Sequence, residues 1–298
     1  MDTATSYARA ERPPRVEDDT LVRGAGRFVA DRPDPGQAYA QFARSPHACA
    51  RIRSIDIEAA KAAPAVVAVL TGADMDAAGV GNVGRHPPIA GRGGTKLVMP
   101  RRPALARERV MHVGEPVAMV IAETVLAALD AAELISVDYE ESAPAIDVRD
   151  AVRSGAPQLW PEASGNIAVD WPGPVKDADA NAREVDAIIN SAAHVARVAV
   201  KNQRLVVASM EPRGVTAIHD KAADRFTLRT CSQSALALRD NLLGIMNWPK
   251  ERLHVITEDV GGAFGLKTAA YPDTVAVMIA ASFPAGRCTS WRPVPNRS

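Results

Sequence analysis

Residues Leu253–Asp273 read LHVITEDVGGAFGLKTAAYPD, an apolar alternation followed by a glycine-rich loop. The alternation in LHVITE predicts a strand, and glycines after a strand permit positive φ and close approach of a ligand to the main chain. Successive amide groups in such a turn form an anion-binding concavity. No Gly-Lys-Ser/Thr ends the loop, so it is not a Walker motif. Taken alone, it predicts either an oxyanion-binding turn or, more commonly, a tight turn that binds nothing.

Composition indicates a globular chain. It has 298 residues, 47% of them hydrophobic, and a formal net charge of +0. That length suits about two domains, and the neutral balance does not favour a nucleic-acid or membrane partner. No apolar run approaches the roughly 20 residues that span a bilayer. Residues 1–14 lack the apolar core of a secretory signal, so we expect a disordered lead-in and a cytoplasmic protein.

The cysteines give no metal or cluster pattern. Cys49, Cys231 and Cys288 are far apart and odd in number, without the paired spacings of zinc or iron–sulfur sites. We therefore expect reduced structural thiols.

A first block is predicted over residues 15–150. GQAYAQFARS alternates as a half-buried strand should, Asp56 can cap a short helix in DIEAAKAAP, and VVAVLTG reads as a buried strand. VGEPVAMVIAE, TVLAALDAAELI and ISVDYEE predict strand, helix and strand, an α/β unit. The Gly- and Arg-rich loop Gly79–Arg109 is either a phosphate grip or, more commonly, a solvated basic loop.

A second block follows a Pro- and Gly-rich linker, placed at residues 151–180, and is predicted over residues 181–281. A helix is expected at Ala182–Ala193, and VARVAVKNQRLVVAS comes next. GVTAIHD and RFTLRTC then predict two strands joined by a polar turn. The next helix is ALALRDNLLGIMN. Ser232 or Ser234 can cap that helix, whose apolar face is expected to include Leu236, Leu243 and Met246.

The order of several motifs along the chain is more specific than any one of them. From about Arg15 to Ala281 the sequence contains RVEDDTLVRGAGRFVAD, RSPHACARIRSID, VGEPVAMVIAE with AAELISVDYEE, NQRLVVASMEPRG, CSQSA and EDVGGAFGLK. In this order the motifs resemble the molybdopterin-binding large subunit of the molybdenum hydroxylases, the xanthine dehydrogenase, aldehyde oxidase and carbon monoxide dehydrogenase family. The resemblance implies an α+β fold, with an N-terminal α/β hammerhead domain followed by an incomplete molybdenum-cofactor-binding domain.

The resemblance also implies cofactor-binding residues. Gln233 matches the family glutamine beside an oxygen ligand of molybdenum, where an amide donates without adding charge. The family's GGGFG loop, which lines the pterin and metal, is matched by Gly261, Gly262, Ala263, Phe264 and Gly265. Phe264 is expected to wall the pocket. Alanine in place of the usual third glycine would cost about 1 kcal/mol if its φ is positive. No residue is assigned as metal ligand or catalytic base.

The activity implied by the resemblance is oxidation of an aldehyde, an N-heterocycle or carbon monoxide with water as oxygen donor. Thr268 stands where purine-oxidising members carry a glutamate, which argues against xanthine. The implied cofactor is molybdenum–molybdopterin in its cytosine dinucleotide form, with no iron–sulfur or flavin site on this chain. An FAD-binding medium subunit and a 2Fe-2S small subunit are implied as partners, in a dimer of heterotrimers. The alternative is a non-catalytic binding or assembly module that retains only subunit contacts.

Residues 282–298 depart from the family pattern. The family has a stretch like GRPVKWMATRSE where this chain has PAGRCTSWRPVPNRS. A shifted reading frame near Pro284 would restore the pattern, so we expect an aberrant, frameshifted tail; a natural divergent tail is the alternative. The chain would then be truncated and inactive alone. With three prolines and no alternation, the tail is expected to be disordered and to leave the helix at 273–281 uncovered.

Overall fold

The structure is a computed structural model that describes residues 15–84, 89–174, 177–203, 205–283 and 287–291. The predicted lead-in at 1–14 and the end of the tail lie outside these residues. The strands are β1 (Ala38–Arg44), β2 (Ala50–Asp56), β3 (Val66–Thr71), β4 (Arg109–Val110), β5 (Pro116–Ala122), β6 (Ser136–Glu141), β7 (Gly214–Asp220), β8 (Arg225–Thr230), β9 (Leu253–Ile256) and β10 (Arg287–Trp291). The helices are α1 (Asp18–Val22), α2 (Glu58–Lys61), α3 (Gly72–Ala77), α4 (Val125–Glu133), α5 (Val148–Ala151), α6 (Ala178–Ser191), α7 (Ala235–Met246) and α8 (Pro272–Ala280).

One mixed sheet joins the two predicted blocks. Its seven strands run in the order β3-β5-β1-β10-β7-β8-β9, so β1, β3 and β5 of the first block continue through β10 into the second. β10 pairs parallel with β1 and antiparallel with β7. The largest core cluster draws Phe42 and Met119 from the first block and Leu228 and Met278 from the second. The block boundaries themselves stay predictions.

Strand β5 shows why this sheet is buried on both faces. All of its residues are buried, and successive side chains of a strand point to opposite faces. Val120 packs in a cluster with Ala60 and Ala131, which belong to α2 and α4. Met119 and Ile121 instead pack in the cluster that contains the buried residues of α7 and α8. The strand VGEPVAMVIAE and the helix TVLAALDAAELI are thus confirmed.

A second, three-stranded sheet has the order β4-β2-β6. β6 follows α4 directly in the chain but pairs antiparallel with β2 instead of returning to the sheet of β5. The predicted strand, helix and strand all form, but they do not make an α/β unit within one sheet.

The tail contradicts its predicted disorder. Residues 287–291 form β10, a central strand with pairs to Ala38 and Tyr39 on one side and to residues 214–218 on the other. The helix expected to be uncovered, α8, is buried at seven of its positions. Both expectations were wrong because the edges of β1 and β7 accept a strand here, which the local sequence does not signal.

Side-chain caps determine where helices α6 and α7 begin. Helix α6 begins at Ala178, four residues before the prediction, because Asp177 accepts hydrogen bonds from the amides of Asp179 and Ala180. In α7 the cap is Ser234, whose hydroxyl accepts from the amide of Ala237 at 3.2 Å. The predicted apolar face of α7 is wrong at Leu236, which is 60% exposed.

Candidate functional site

The glycine loop lies between β9 and α8, and its backbone turns through left-handed conformations. Gly262 has φ of 95° and Gly265 has φ of 86°, values at which any side chain is strained. Phe264 also has positive φ, at 47°. Ala263 is not among the positive-φ residues, so the alanine at this position costs no backbone strain.

The middle of the loop presents unbonded amide groups. The N–H groups of Ala263, Phe264 and Gly265 make no hydrogen bond to the described residues. Phe264 and Gly265 are exposed. Consecutive free amides in a turn with left-handed residues suit an anion or a polar ligand oxygen.

Gly261 is a glycine for a different reason. A Cβ at this position would lie 2.5 Å from the Cβ of Glu211. The Gly261 N–H donates to Glu211 Oε2 at 2.9 Å, and the Glu211 N–H donates to the Gly261 carbonyl at 2.9 Å. Its bare Cα therefore faces Glu211.

The other end of the loop is held by the same carboxylate. Lys267 Nζ lies 2.9 Å from Glu211 Oε2, with the lysine side chain 0% exposed and the glutamate side chain 9% exposed. Sequence reasoning assigned no role to Glu211. The MEPRG motif around Glu211 gives no sign of this role, because the two partners, Gly261 and Lys267, lie 50 and 56 residues further along the chain.

Gln233 lies beside the end of the loop. Its backbone N–H donates to the Lys267 carbonyl at 2.9 Å, and its side-chain oxygen accepts from the Lys267 N–H at 3.3 Å. The side-chain NH₂ group has no hydrogen bond to the described residues, and Gln233 is exposed. The structure thus brings Gln233 and the glycine loop together with an amide donor free.

Phe264 lies outside the core. Its side chain is 77% exposed, and one ring carbon lies 3.2 Å from where a Cβ of Gly262 would be. Within the described residues the ring is an exposed apolar surface beside the free amides. Its expected role as a pocket wall stays a prediction.

Cys231 lies behind the loop. It is a free thiol, as is Cys49, and burial raises its pKa. The thiol accepts a hydrogen bond from the Gly214 N–H at 3.4 Å and lines a small cavity of about 20 Å³, room for one water molecule. A buried, hydrogen-bonded thiol of raised pKa suits the structural role expected for it.

The described residues contain neither a cluster of metal-binding side chains nor a membrane-crossing helix. Among the described residues, no group of three or more His, Cys, Asp or Glu side chains is arranged to hold a metal ion. In the same part of the chain no helix has the length and apolar character needed to cross a membrane.

Two family models match consecutive parts of the chain. The family model described as "Aldehyde oxidase and xanthine dehydrogenase, a/b hammerhead domain" matches residues 23–143, and that of the "Molybdopterin cofactor-binding domain" matches residues 166–293. The chain is 32% identical over 270 residues to the nicotine 6-hydroxylase large subunit of Paenarthrobacter nicotinovorans, covering 91% of this chain and 31% of that protein. It is 33% identical over 278 residues to the carbon monoxide dehydrogenase large chain of Afipia carboxidovorans, covering 89% and 32%.

A solved structure shows the same fold. Quinoline 2-oxidoreductase from Pseudomonas putida 86 matches with a TM-score of 0.79 and 28% identity over 94% of this chain and 34% of that one. The predicted hammerhead and cofactor-binding fold is confirmed. The chain spans about a third of the length of these relatives. With its hammerhead and molybdopterin cofactor-binding domains in this order, the chain belongs to the large-subunit family of the molybdenum hydroxylases.

Proposed function

We propose that Gln233 and the loop of residues 261–265 form part of a molybdenum–molybdopterin site in an enzyme that hydroxylates its substrate with oxygen from water. The observation that supports this most directly is the run of three unbonded amides beside the free NH₂ of Gln233. These neutral donors suit the oxygens of an anionic pterin cofactor. When bound, the cofactor supplies redox chemistry at the metal that amino-acid side chains do not supply.

The residues of this chain would bind and orient. The amides of Ala263, Phe264 and Gly265 would donate to cofactor oxygens, and Gln233 would donate from the side, held in place by its bond to the Lys267 N–H. Phe264 would cover the cofactor with its exposed ring. Because all the donors except Gln233 are backbone groups, their spacing is set by the turn and not by side-chain rotamers.

The substrate class extends this proposal. The relatives named above are called a nicotine hydroxylase, a carbon monoxide dehydrogenase and a quinoline oxidoreductase. An N-heterocycle, an aldehyde or carbon monoxide is therefore proposed, with the cytosine dinucleotide form of the cofactor. Electrons would pass to an iron–sulfur subunit and a flavin subunit. The presence of Thr268 after Lys267, in place of a carboxylate, disfavours a purine.

Metal and pterin analysis tests the site. The 298-residue chain, produced in a host that makes the molybdenum cofactor, should contain molybdenum and pterin in equal amounts. Gly265→Val should lower both, because it strains the turn and crowds the free amides. The matched control is Gly155→Val, which places the same side chain at φ of 82° in a turn elsewhere in the chain. A wild-type chain that folds without molybdenum or pterin would contradict the proposal and favour an assembly module. Equal losses in the two variants would contradict it as well.

A further inference from the structure

We propose that Glu211 is a positioning residue that clamps both ends of the cofactor loop and thereby sets the spacing of its free amides. The role in cofactor binding rests on the proposed function, but the clamp itself is a property of the described residues. Glu211 contacts none of the free donors, which are the amides of residues 263–265 and the side-chain NH₂ of Gln233. It acts on them through Gly261 and Lys267, at the two ends of the loop.

The geometry fixes the loop at two points. Oε2 of Glu211 accepts from the Gly261 N–H and from Lys267 Nζ, both at 2.9 Å. The Glu211 N–H closes a third bond, to the Gly261 carbonyl, at 2.9 Å. The free amides of residues 263–265 lie between these anchors. Movement of either anchor would change the distance across the turn and so the direction of these amides.

Burial makes the clamp strong. Lys267 is fully buried and the Glu211 side chain nearly so. A buried charge must keep its partner, because separating the pair would leave an unpaired ion in a medium of low dielectric constant. Hydrogen bonds at 2.9 Å also fix the orientation of the donor and acceptor groups, whereas apolar contacts would allow the loop to shift.

Residues 27–32 add hydrogen bonds to Glu211 and to the chain just before the glycine loop. The Val29 N–H donates to the other carboxylate oxygen, Oε1 of Glu211, at 3.4 Å. The Arg27 N–H donates to Asp259 at 2.7 Å, and Arg32 donates to Glu258 at 2.6 Å. Residues 27–32 of the hammerhead block therefore contact both Glu211 and the pair Glu258 and Asp259, which lie between β9 and the glycine loop. An aspartate at position 211 is one methylene shorter and would not reach all three donors.

The test compares hydrogen exchange in the loop with exchange in β5. Glu211→Gln keeps the shape of the side chain and removes its charge, and Lys267→Met does the same for its partner. Each should speed exchange at the amides of Gly261 and Lys267 by about tenfold to a hundredfold, as expected on loss of a hydrogen bond to a charged group. Exchange in β5 reports any accompanying loss of global stability, so the effect on the loop is the acceleration beyond that in β5. The molybdenum and pterin content should fall with the loss of loop protection.

The control is Asp273→Asn, which breaks another largely buried ion pair, to Arg213 at 3.1 Å, without touching the loop. It should leave loop exchange unchanged. Wild-type protection in both clamp variants, or equal acceleration in Asp273→Asn, would overturn the proposal. If Glu211→Gln does not fold, Lys267→Met gives the same readout from the other partner. Absence of molybdenum from the wild type would defeat the proposed function, while the exchange result would still decide the clamp.

Discussion

Two segments of the second block that carry strand-forming apolar residues have opposite environments. β7 and β8, at residues 214–230, contain Ala217, Phe226 and Leu228, each at most 1% exposed. Residues 195–207 include five valines, yet Val198 is 81% exposed and Val206 is 92% exposed, and the described residues of that stretch form no strand.

The difference lies in the strand partners, because composition alone would favour burial of the more apolar 195–207 stretch. β7 lies between β10 and β8, so both of its edges are paired. The 195–207 stretch pairs with no strand of the described part of the chain. An alternating apolar sequence supplies side chains that fit a sheet, but its burial depends on a neighbour that completes the hydrogen bonds.

The largest expected effect on stability is in the buried segment, β7 and β8. Phe226→Ala should lower the free energy of unfolding by about 3–5 kcal/mol, because it removes a fully buried ring and leaves a cavity. That ring stacks on His219 at 4.0 Å and on Trp248 at 4.8 Å. Denaturant unfolding measures the effect. The control, Val206→Ala in the exposed segment, should change stability by less than about 0.5 kcal/mol. A similar loss in both variants would remove the contrast.

Proline substitution tests whether backbone hydrogen bonds distinguish a paired strand from the unpaired 195–207 stretch. Thr289 lies in β10 opposite Tyr39 on one side and Thr216 on the other. Thr289→Pro removes an N–H from a strand that is paired on both edges, and it should cost about 1–3 kcal/mol. Val198→Pro, in the unpaired stretch, should leave the thermal unfolding midpoint nearly unchanged. If Thr289→Pro were as harmless, the pairing of β10 would be wrong.

The sequence allowed prediction of elements whose signal is local. Strand β5 has a continuous apolar run, and α7 has Ser234 as its cap. It did not allow prediction of β10, which has no alternation of its own and forms because two strand edges are available to it. The pairing of the glycine loop with Gln233 was foreseen only through family resemblance. Glu211 was missed because its carboxylate acts across the fold, on residues that no periodicity connects to it.

An intermediate effect is expected at Asp76, in the first block. Burial by itself would raise the pKa of this carboxyl, but hydrogen bonds from Arg107, at 2.8 Å, and from Arg101 outweigh burial and lower it. A lowered pKa adds stability that is present above the unfolded-state pKa, near 4, and is lost as the pH falls through the folded-state pKa. Asp76→Asn should therefore cost about 1 kcal/mol at neutral pH, since both arginines are more than half exposed.

The pH dependence distinguishes this charge effect from packing. The stability difference between wild type and Asp76→Asn should shrink as the pH falls below about 4, since the protonated aspartic acid then resembles the amide. Urea unfolding at several pH values measures it. A difference that stays constant down to strongly acidic pH would show that the arginines do not stabilise the ionised form.

The smallest expected effect on stability is that of a charged substitution in the exposed 195–207 segment. Val200 is 83% exposed, so Val200→Asp should change the unfolding free energy by less than about 0.5 kcal/mol. Its counterpart, Val215→Asp, places a carboxylate at a position that is 5% exposed between two paired strands and should prevent folding or strongly raise the aspartate pKa. The amides of residues 195–203 and 205–207 should also exchange at close to the rate of an unfolded chain, because no backbone hydrogen bond joins them to other described residues. Protected amides there, together with a large cost for Val200→Asp, would mean that the segment has a partner in solution and that the two segments have similar environments after all.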